Sequence, residues 1–172
     1  MAVIEFLMDE GVDVKLLDYL GNPADAKGMA TEITPPEQTL NMETDLRIGE
    51  GGEVNRPTTY AAMECSMTLK GISNQFWEFT STAQAQRKEL TIQVTGKGQD
   101  RYDSTSTVDV KLVMKGYVMR NAFYSSISAG EKSELELSMG VNSITQQIGS
   151  TTVTFEPALK KYEINGVNQW AW

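Results

Sequence analysis

The feature that most constrains this chain is a two-residue alternation of apolar and polar side chains that recurs along most of its length. Successive side chains of a strand point to opposite faces, so sustained alternation marks a strand with one face buried and one wet. Leu40, Met42, Leu46 and Ile48 alternate with Asn41, Glu43, Asp45 and Arg47. Met63, Cys65, Met67 and Leu69 alternate with Glu64, Ser66, Thr68 and Lys70. The pattern returns at Leu90–Val94, at Val108–Met114, at Leu135–Val141 and at Val153 and Phe155. An earlier pair, Val3–Met8 and Val12–Leu17, reads as a hairpin turned at Asp9-Glu10-Gly11.

One stretch breaks the period. Ile72, Phe76, Phe79 and Ala83 fall on a helical stripe, and Ser73 or Asn74 can cap it by accepting a backbone N–H. The spacing predicts a helix over 73–85. Strands, one helix, then more strands predict a mainly antiparallel β-sandwich or barrel with one packed α-helix. At 172 residues the chain reads as a single domain, 1–172. It is long enough to bury roughly 70% of its unfolded surface without a metal or disulfide.

The loops differ in kind. Asn22 to Gly28 reads as an ordinary turn region, Gly96-Lys97-Gly98 as a hairpin turn and Asp100–Thr107 as a polar excursion. The stretch from about 46 to 58 is longer than a hairpin connection needs, and its Gly49-Glu50-Gly51-Gly52-Glu53 core is glycine-rich and charged. It reads as a long extended hairpin arm that becomes ordered against a partner, with a merely loose loop as the plainer alternative.

Composition removes most chemistry. The chain has no His and one Cys, which excludes Ser-His-Asp and Cys-His catalysis, His-ligated metals and internal disulfides. Cys65 on an apolar strand face reads as a small hydrophobe. Carboxylate pairs such as Glu43/Asp45 and Glu134/Glu136 lie on strand faces, where solvated surface is the plainer reading than acid–base work. Neither Gly96-Lys97-Gly98 nor Gly130-Glu131-Lys132-Ser133 has the residues of a phosphate loop. No cofactor, metal or catalytic set is expected, and the chain is not expected to be an enzyme.

A formal net charge of −8 opposes binding to nucleic acid or an anionic membrane. Residues 1–64 carry thirteen acidic side chains against four basic, and residues 65–172 carry ten against eleven. The acidity thus sits in the N-terminal part. Solubility accounts for it plainly; a surface built to repel polyanions accounts for it more sharply. No signal peptide or run of about 18 apolar residues is evident, so folding in a cytoplasm without membrane insertion is expected. The ending Trp170-Ala171-Trp172 either folds back or docks on another subunit. Several flat alternating strands also leave edges that other copies of the chain could close.

The chain resembles the major tail tube proteins of contractile-tailed phages, a family shared with R-type pyocin tubes. Four pieces carry the likeness: Thr31-Glu32-Ile33-Thr34-Pro35-Pro36-Glu37; the arm Asp45 to Pro57; the strand and Gly71 leading to Phe76 and Trp77; and a C-terminal half with Val113-Met114-Lys115-Gly116-Tyr117, Ala129-Gly130-Glu131-Lys132 and Lys161 to Asn168. The resemblance implies six copies in a ring, their hairpins paired edge to edge into one continuous inner β-barrel. Stacked rings would form a hollow conduit for DNA inside a contractile sheath, with baseplate and tail terminator proteins at its ends. It implies a virion tail component assembled in the host bacterial cytoplasm.

In the family the arm reaches neighbouring subunits. Here that arm is Ile48, Gly49, Glu50, Gly51, Gly52, Glu53, Val54, Asn55, Arg56 and Pro57. Combined with the alternation, the resemblance makes Glu43, Asp45, Arg47, Glu64 and Lys70 candidates for an acidic channel wall past which DNA slides without sticking. Arg87, Lys88, Lys160 and Lys161 are candidates for sheath contacts. Two alternatives stand beside it: the tube of a pyocin-like or secretion-type injection particle, and a monomeric β-sandwich binding module.

Overall fold

The structure, a computed structural model, describes residues 4–7, 12–26, 29–45, 54–71, 73–100, 103–122 and 134–170. The first strands are β1 (Ile4–Leu7), β2 (Asp13–Leu17), β3 (Pro23–Asp25) and β4 (Ala30–Thr34). Then come β5 (Leu40–Asp45), β6 (Val54–Tyr60), β7 (Met63–Lys70) and the helix α1 (Asn74–Gln86). After the helix lie β8 (Leu90–Asp100), β9 (Asp103–Ala122) and β10 (Glu134–Ile148). β11 (Thr151–Glu156), a 3-10 turn at Pro157–Leu159, β12 (Lys161–Ile164) and β13 (Val167–Asn168) close the chain.

Eleven of these strands form one antiparallel sheet in the order β13-β12-β11-β10-β9-β8-β2-β3, with β7 added on β10, β4 on β7 and β1 on β8. Among the described residues β5 and β6 pair only with each other. The fold is thus mainly β with one helix, as the alternation requires.

The two longest strands make the sheet turn. The first part of β10, Glu134–Val141, lies between β7 and the end of β9. Its second part, Ile144–Ile148, lies between β11 and an earlier part of β9. A register shift at Val141/Ser143 separates the two parts, and another at Ser138/Met139 lies within the first. Such irregularities bend a strand and raise its twist, so one apolar face can roll over into one core. Gly116 sits at this junction. A Cβ there would stand 1.9 Å from the carbonyl oxygen of Gly140, so only glycine lets the strands come this close.

The alternation becomes burial directly. In β7, Met63, Cys65, Met67 and Leu69 are buried, and in β10 so are Leu135, Leu137, Met139 and Val141. They meet Leu16, Leu90, Ile92, Met114 and Phe155 from the other half of the sheet in one cluster. Each such side chain contributes roughly 1.5–3 kcal/mol by leaving water.

The helix sits where its stripe predicts. Ser73 caps it, its Oγ accepting from the backbone N–H of Phe76 at 3.2 Å. Phe76, Thr80 and Ala83 form its buried face. Thr80 satisfies its hydroxyl by donating to a carbonyl of the preceding turn, 3.1 Å from Phe76 O. The helix ends on Arg87 in the left-handed region (φ 51), while the Lys88 N–H donates to the Ala83 carbonyl at 2.9 Å. That is the residue usually replaced by glycine in a C-terminal cap.

Three expectations need correction. β1 and β2 do not form a hairpin: both pair antiparallel with β8, end to end along one edge, Ile4–Leu7 against Lys97–Asp100 and Asp13–Leu17 against Thr91–Thr95. Gly96-Lys97-Gly98 is not a turn, because β8 runs unbroken through it between β1 and β9. Pro23–Asp25, expected in a turn, forms a short strand on β2. Proline is tolerated there because β3 is an edge strand. The expected turn residues Asp9-Glu10-Gly11 and Ala129 to Lys132 lie outside the described residues.

Candidate functional site

Four strand segments share one region of the sheet: β4, β7, the first part of β10 and the end of β9. One face of this region is the core. Register places Glu32 opposite Thr68, and Thr68 opposite Glu136. Ser66 lies opposite Thr34 and Ser138, Glu64 opposite Gly140, and Lys70 opposite Glu134. Arg120 lies opposite Ser138 and Tyr117 opposite Gly140. All of these lie on the side away from the core and make one largely polar face, on which Tyr117 and Met119 are exposed beside Gly140.

The charges on that face are unequal. Glu32, Glu64, Glu134 and Glu136 face Lys70 and Arg120. Lys70 Nζ lies 3.5 Å from Glu134, and Arg120 Nη1 lies 3.3 Å from Glu136. Pairs this exposed add little stability, on the order of 0–1 kcal/mol. Their effect is to hold these two cations beside carboxylates, so among the described residues the face carries four carboxylates against two cations.

Both sides of this region are open. β4 pairs only with β7, and β8 reaches along β9 only as far as Gly116. Among the described residues, the outer side of β4 and the outer side of Tyr117–Ala122 therefore carry no strand partner. The helix stiffens the second of these edges. Gln84 Nε2 donates to the Met119 carbonyl at 3.3 Å, and Asn121 Nδ2 donates to Thr80 Oγ1 at 3.0 Å.

Between β4 and β7 the chain leaves the sheet as a separate hairpin. β5 and β6 pair from Leu40↔Tyr60 to Asp45↔Val54. Side chains reinforce the ladder: Thr44 Oγ1 donates to Asn55 Oδ1 at 2.9 Å. β5 and β6 thus flank the stretch expected as an arm, and Asn55, Arg56 and Pro57 belong to β6. Ile48, Gly49, Glu50, Gly51, Gly52 and Glu53 lie outside the described residues. Met42, on the apolar side of the alternation, is 56% exposed, while Leu40 on the same side is half-buried.

The candidate residues therefore separate. Glu64 and Lys70 share the polar face. Glu43 sits on β5 in the hairpin, as does the backbone of Asp45, and Arg47 lies outside the described residues. Arg87 and Lys88 follow the helix, with Lys88 Nζ 4.9 Å from the centre of the Tyr19 ring. Lys160 takes a left-handed turn after the 3-10 segment, and Lys161 pairs with Glu163 at 3.1 Å. Glu32, Glu134, Glu136 and Arg120 had not been singled out as lining residues. The signal was present for the β10 pair, because Glu134 and Glu136 alternate with Leu135 and Leu137 as Glu64 does with Met63 and Cys65.

Among the described residues no group of three His, Cys, Asp or Glu is placed to hold a metal, and no helix is long and apolar enough to cross a membrane. A cavity of about 310 Å³ is lined by Val12, Ile33, Val94, Val110, Leu112 and Ile148, among others, with Lys111 the one charged residue among the described lining. Burial in the core pushes the Cys65 thiol up to about 11. A thiol so shifted stays protonated near neutrality and is inert.

Comparison with known proteins follows the same geometry. The family model for phage tail tube protein FII matches residues 16–172. No curated protein matches the sequence. Among solved structures, a chain of the anti-feeding prophage baseplate, solved by cryo-EM with six-fold symmetry, superposes with a TM-score of 0.57 at 12% identity. It covers 82% of this chain and 95% of that one. An Hcp protein superposes at 0.52 and 12% identity, covering 86% and 99%. Hcp1 from Salmonella typhimurium superposes at 0.52 and 10% identity, covering 89% and 99%. At these identities the solved structures share the fold.

Proposed function

The chain belongs to the phage tail tube protein FII family, and from that premise we propose how its surfaces build the tube and what they do there. It is a structural subunit of a tail tube, a component of the virion tail. The two open edges of one four-strand region, β4 and Tyr117–Ala122, join those of neighbouring copies. A strand edge left unpaired exposes N–H and C=O groups, and closure into a barrel satisfies them all and makes the wall stiff. Six copies close the ring, which the six-fold symmetry of the anti-feeding prophage baseplate supports. Rings stack through the β5–β6 arm, from Ile48 to Pro57, laid on neighbouring subunits. Baseplate and terminator proteins meet the ends of the stack.

The polar face turns inward and lines the bore with Glu32, Glu64, Glu134 and Glu136, with Lys70 and Arg120 tied to carboxylates. DNA carries a phosphate charge about every 1.7 Å of axis, and binding requires free Lys or Arg to displace its counterions. This wall offers a net negative surface, so DNA passes without sticking. Glu43, Asp45 and Arg47, carried on the arm that leaves this sheet between β4 and β7, add their charges at the rim. Arg87, Lys88, Lys160 and Lys161 face the sheath. The role is structural, with no catalytic step, and assembly takes place in the host cytoplasm.

The observation that carries this reading is the coincidence of one net-negative polar face with two open edges on the same four strands. Purified protein is expected to give six-membered rings or hollow stacks by size exclusion and negative-stain microscopy. A stable monomer at all concentrations would contradict it.

A further inference from the structure

The C-terminal tail folds back onto the root of the arm. Tyr60, the last residue of β6, has its ring 4.6 Å from Phe155 and 5.4 Å from Trp170, centre to centre. Trp170 in turn stacks on Phe155 at 6.2 Å. Phe155 is fully buried, so it anchors both rings to the core. The tail is held in place by its own bonds: the Gln169 N–H donates to the Tyr162 carbonyl at 2.6 Å, and the Trp170 N–H donates to Asn168 Oδ1 at 3.1 Å.

Among the described residues the arm's strands pair only with each other, and at its root the Ala61 N–H donates to the Thr39 carbonyl at 2.8 Å. Two short connectors, residues 35–39 and 61–62, join it to the body. A two-stranded ribbon so joined would swing about its connectors unless something fixed its base. The aromatic joint is placed to do that, because Tyr60 belongs to the arm while Phe155 and Trp170 belong to the body and the tail.

We infer that Trp170 is a positioning residue: the C-terminal tail clamps Tyr60 against Phe155 and sets the direction in which the arm leaves the subunit. The inference rests on the proposed tube role only for its consequence, which is that the arm is presented in the direction assembly needs. Rigid presentation lowers the ordering cost of association. The clamp itself concerns the single chain.

The test compares Trp170→Ala, Trp170→Phe and wild type by amide hydrogen exchange on monomer isolated by size exclusion, and by negative-stain microscopy at assembling concentrations. In Trp170→Ala, exchange in β5 and β6 is expected to rise about tenfold, the size of one lost aromatic contact. Exchange in β7, β8 and β10 stays unchanged, rings and tubes are lost, and Trp170→Phe restores both readouts. Unchanged exchange in the arm, or a rise shared equally by the core strands, would overturn the clamp. If Trp170→Ala does not fold, Tyr60→Leu breaks the joint from the arm's side and must give the same arm-specific rise. Wild type that forms neither rings nor tubes counts against the tube role, while the exchange comparison still decides the clamp.

Discussion

At the residue scale, Cys65 and Gly116 show how little freedom the core leaves. Cys65 is 2% exposed, and burial holds its thiol near 11. A thiol pKa raised on folding favours the native state below about 9 and loses that contribution as the pH climbs through 11. We therefore expect no reaction of Cys65 with a thiol reagent at pH 8 until denaturant unfolds the chain, and a fall in stability between pH 9 and 11; prompt labelling of the native protein would contradict this. Gly116→Ala places a methyl against the Gly140 carbonyl, and the strands must part to admit it. Denaturant unfolding should show a loss of about 3 kcal/mol or more. Arg87 poses the opposite case: in a left-handed cap position, Arg87→Gly should raise stability by up to about 1 kcal/mol, read as a higher denaturant midpoint.

At the element scale, the arm can be shortened with β5 and β6 left in place. Replacing residues 46–53 with Asn-Gly would join β5 to β6 through a tight turn that matches strand twist. The shortened chain should melt within about 2 °C of wild type, since β5, β6 and the buried core residues are all kept. It should fail to form long tubes in negative stain; tubes of normal length would remove the arm from assembly. Strands and the helix with its Ser73 cap were legible in the sequence because each has a local signature. Partners were not. Alternation in β1 and β2 says that each is a strand, and only the fold shows that both lie on β8. Gly96-Lys97-Gly98 looked like a turn because glycine favours turns, but here small residues pass between β1 and β9. Likewise the alternation of β7 shows which of its faces is wet, while the register that brings Glu32, Glu134 and Glu136 onto the same face as Glu64 is a long-range property.

At the scale of the whole molecule, the sequence suggested that acidity belonged to the first 64 residues. The structure redistributes it: the polar face draws Glu32 and Glu64 from that part and Glu134 and Glu136 from β10. What matters is therefore the net charge of one face and the pairing of its two cations. Reversing Glu32 and Glu64 to Lys would turn that face from net negative to net positive without altering the core. Such tubes should assemble and retain duplex DNA at low salt, releasing it as salt rises, whereas wild-type tubes retain none. The most direct measurement is a cryo-EM map of the tube at side-chain resolution. The account predicts six copies per ring, β4 of one copy paired with Tyr117–Ala122 of the next, and Glu64 and Glu136 pointing into an electronegative bore. A neutral or basic bore, or a ring in which this face turns outward, would contradict it.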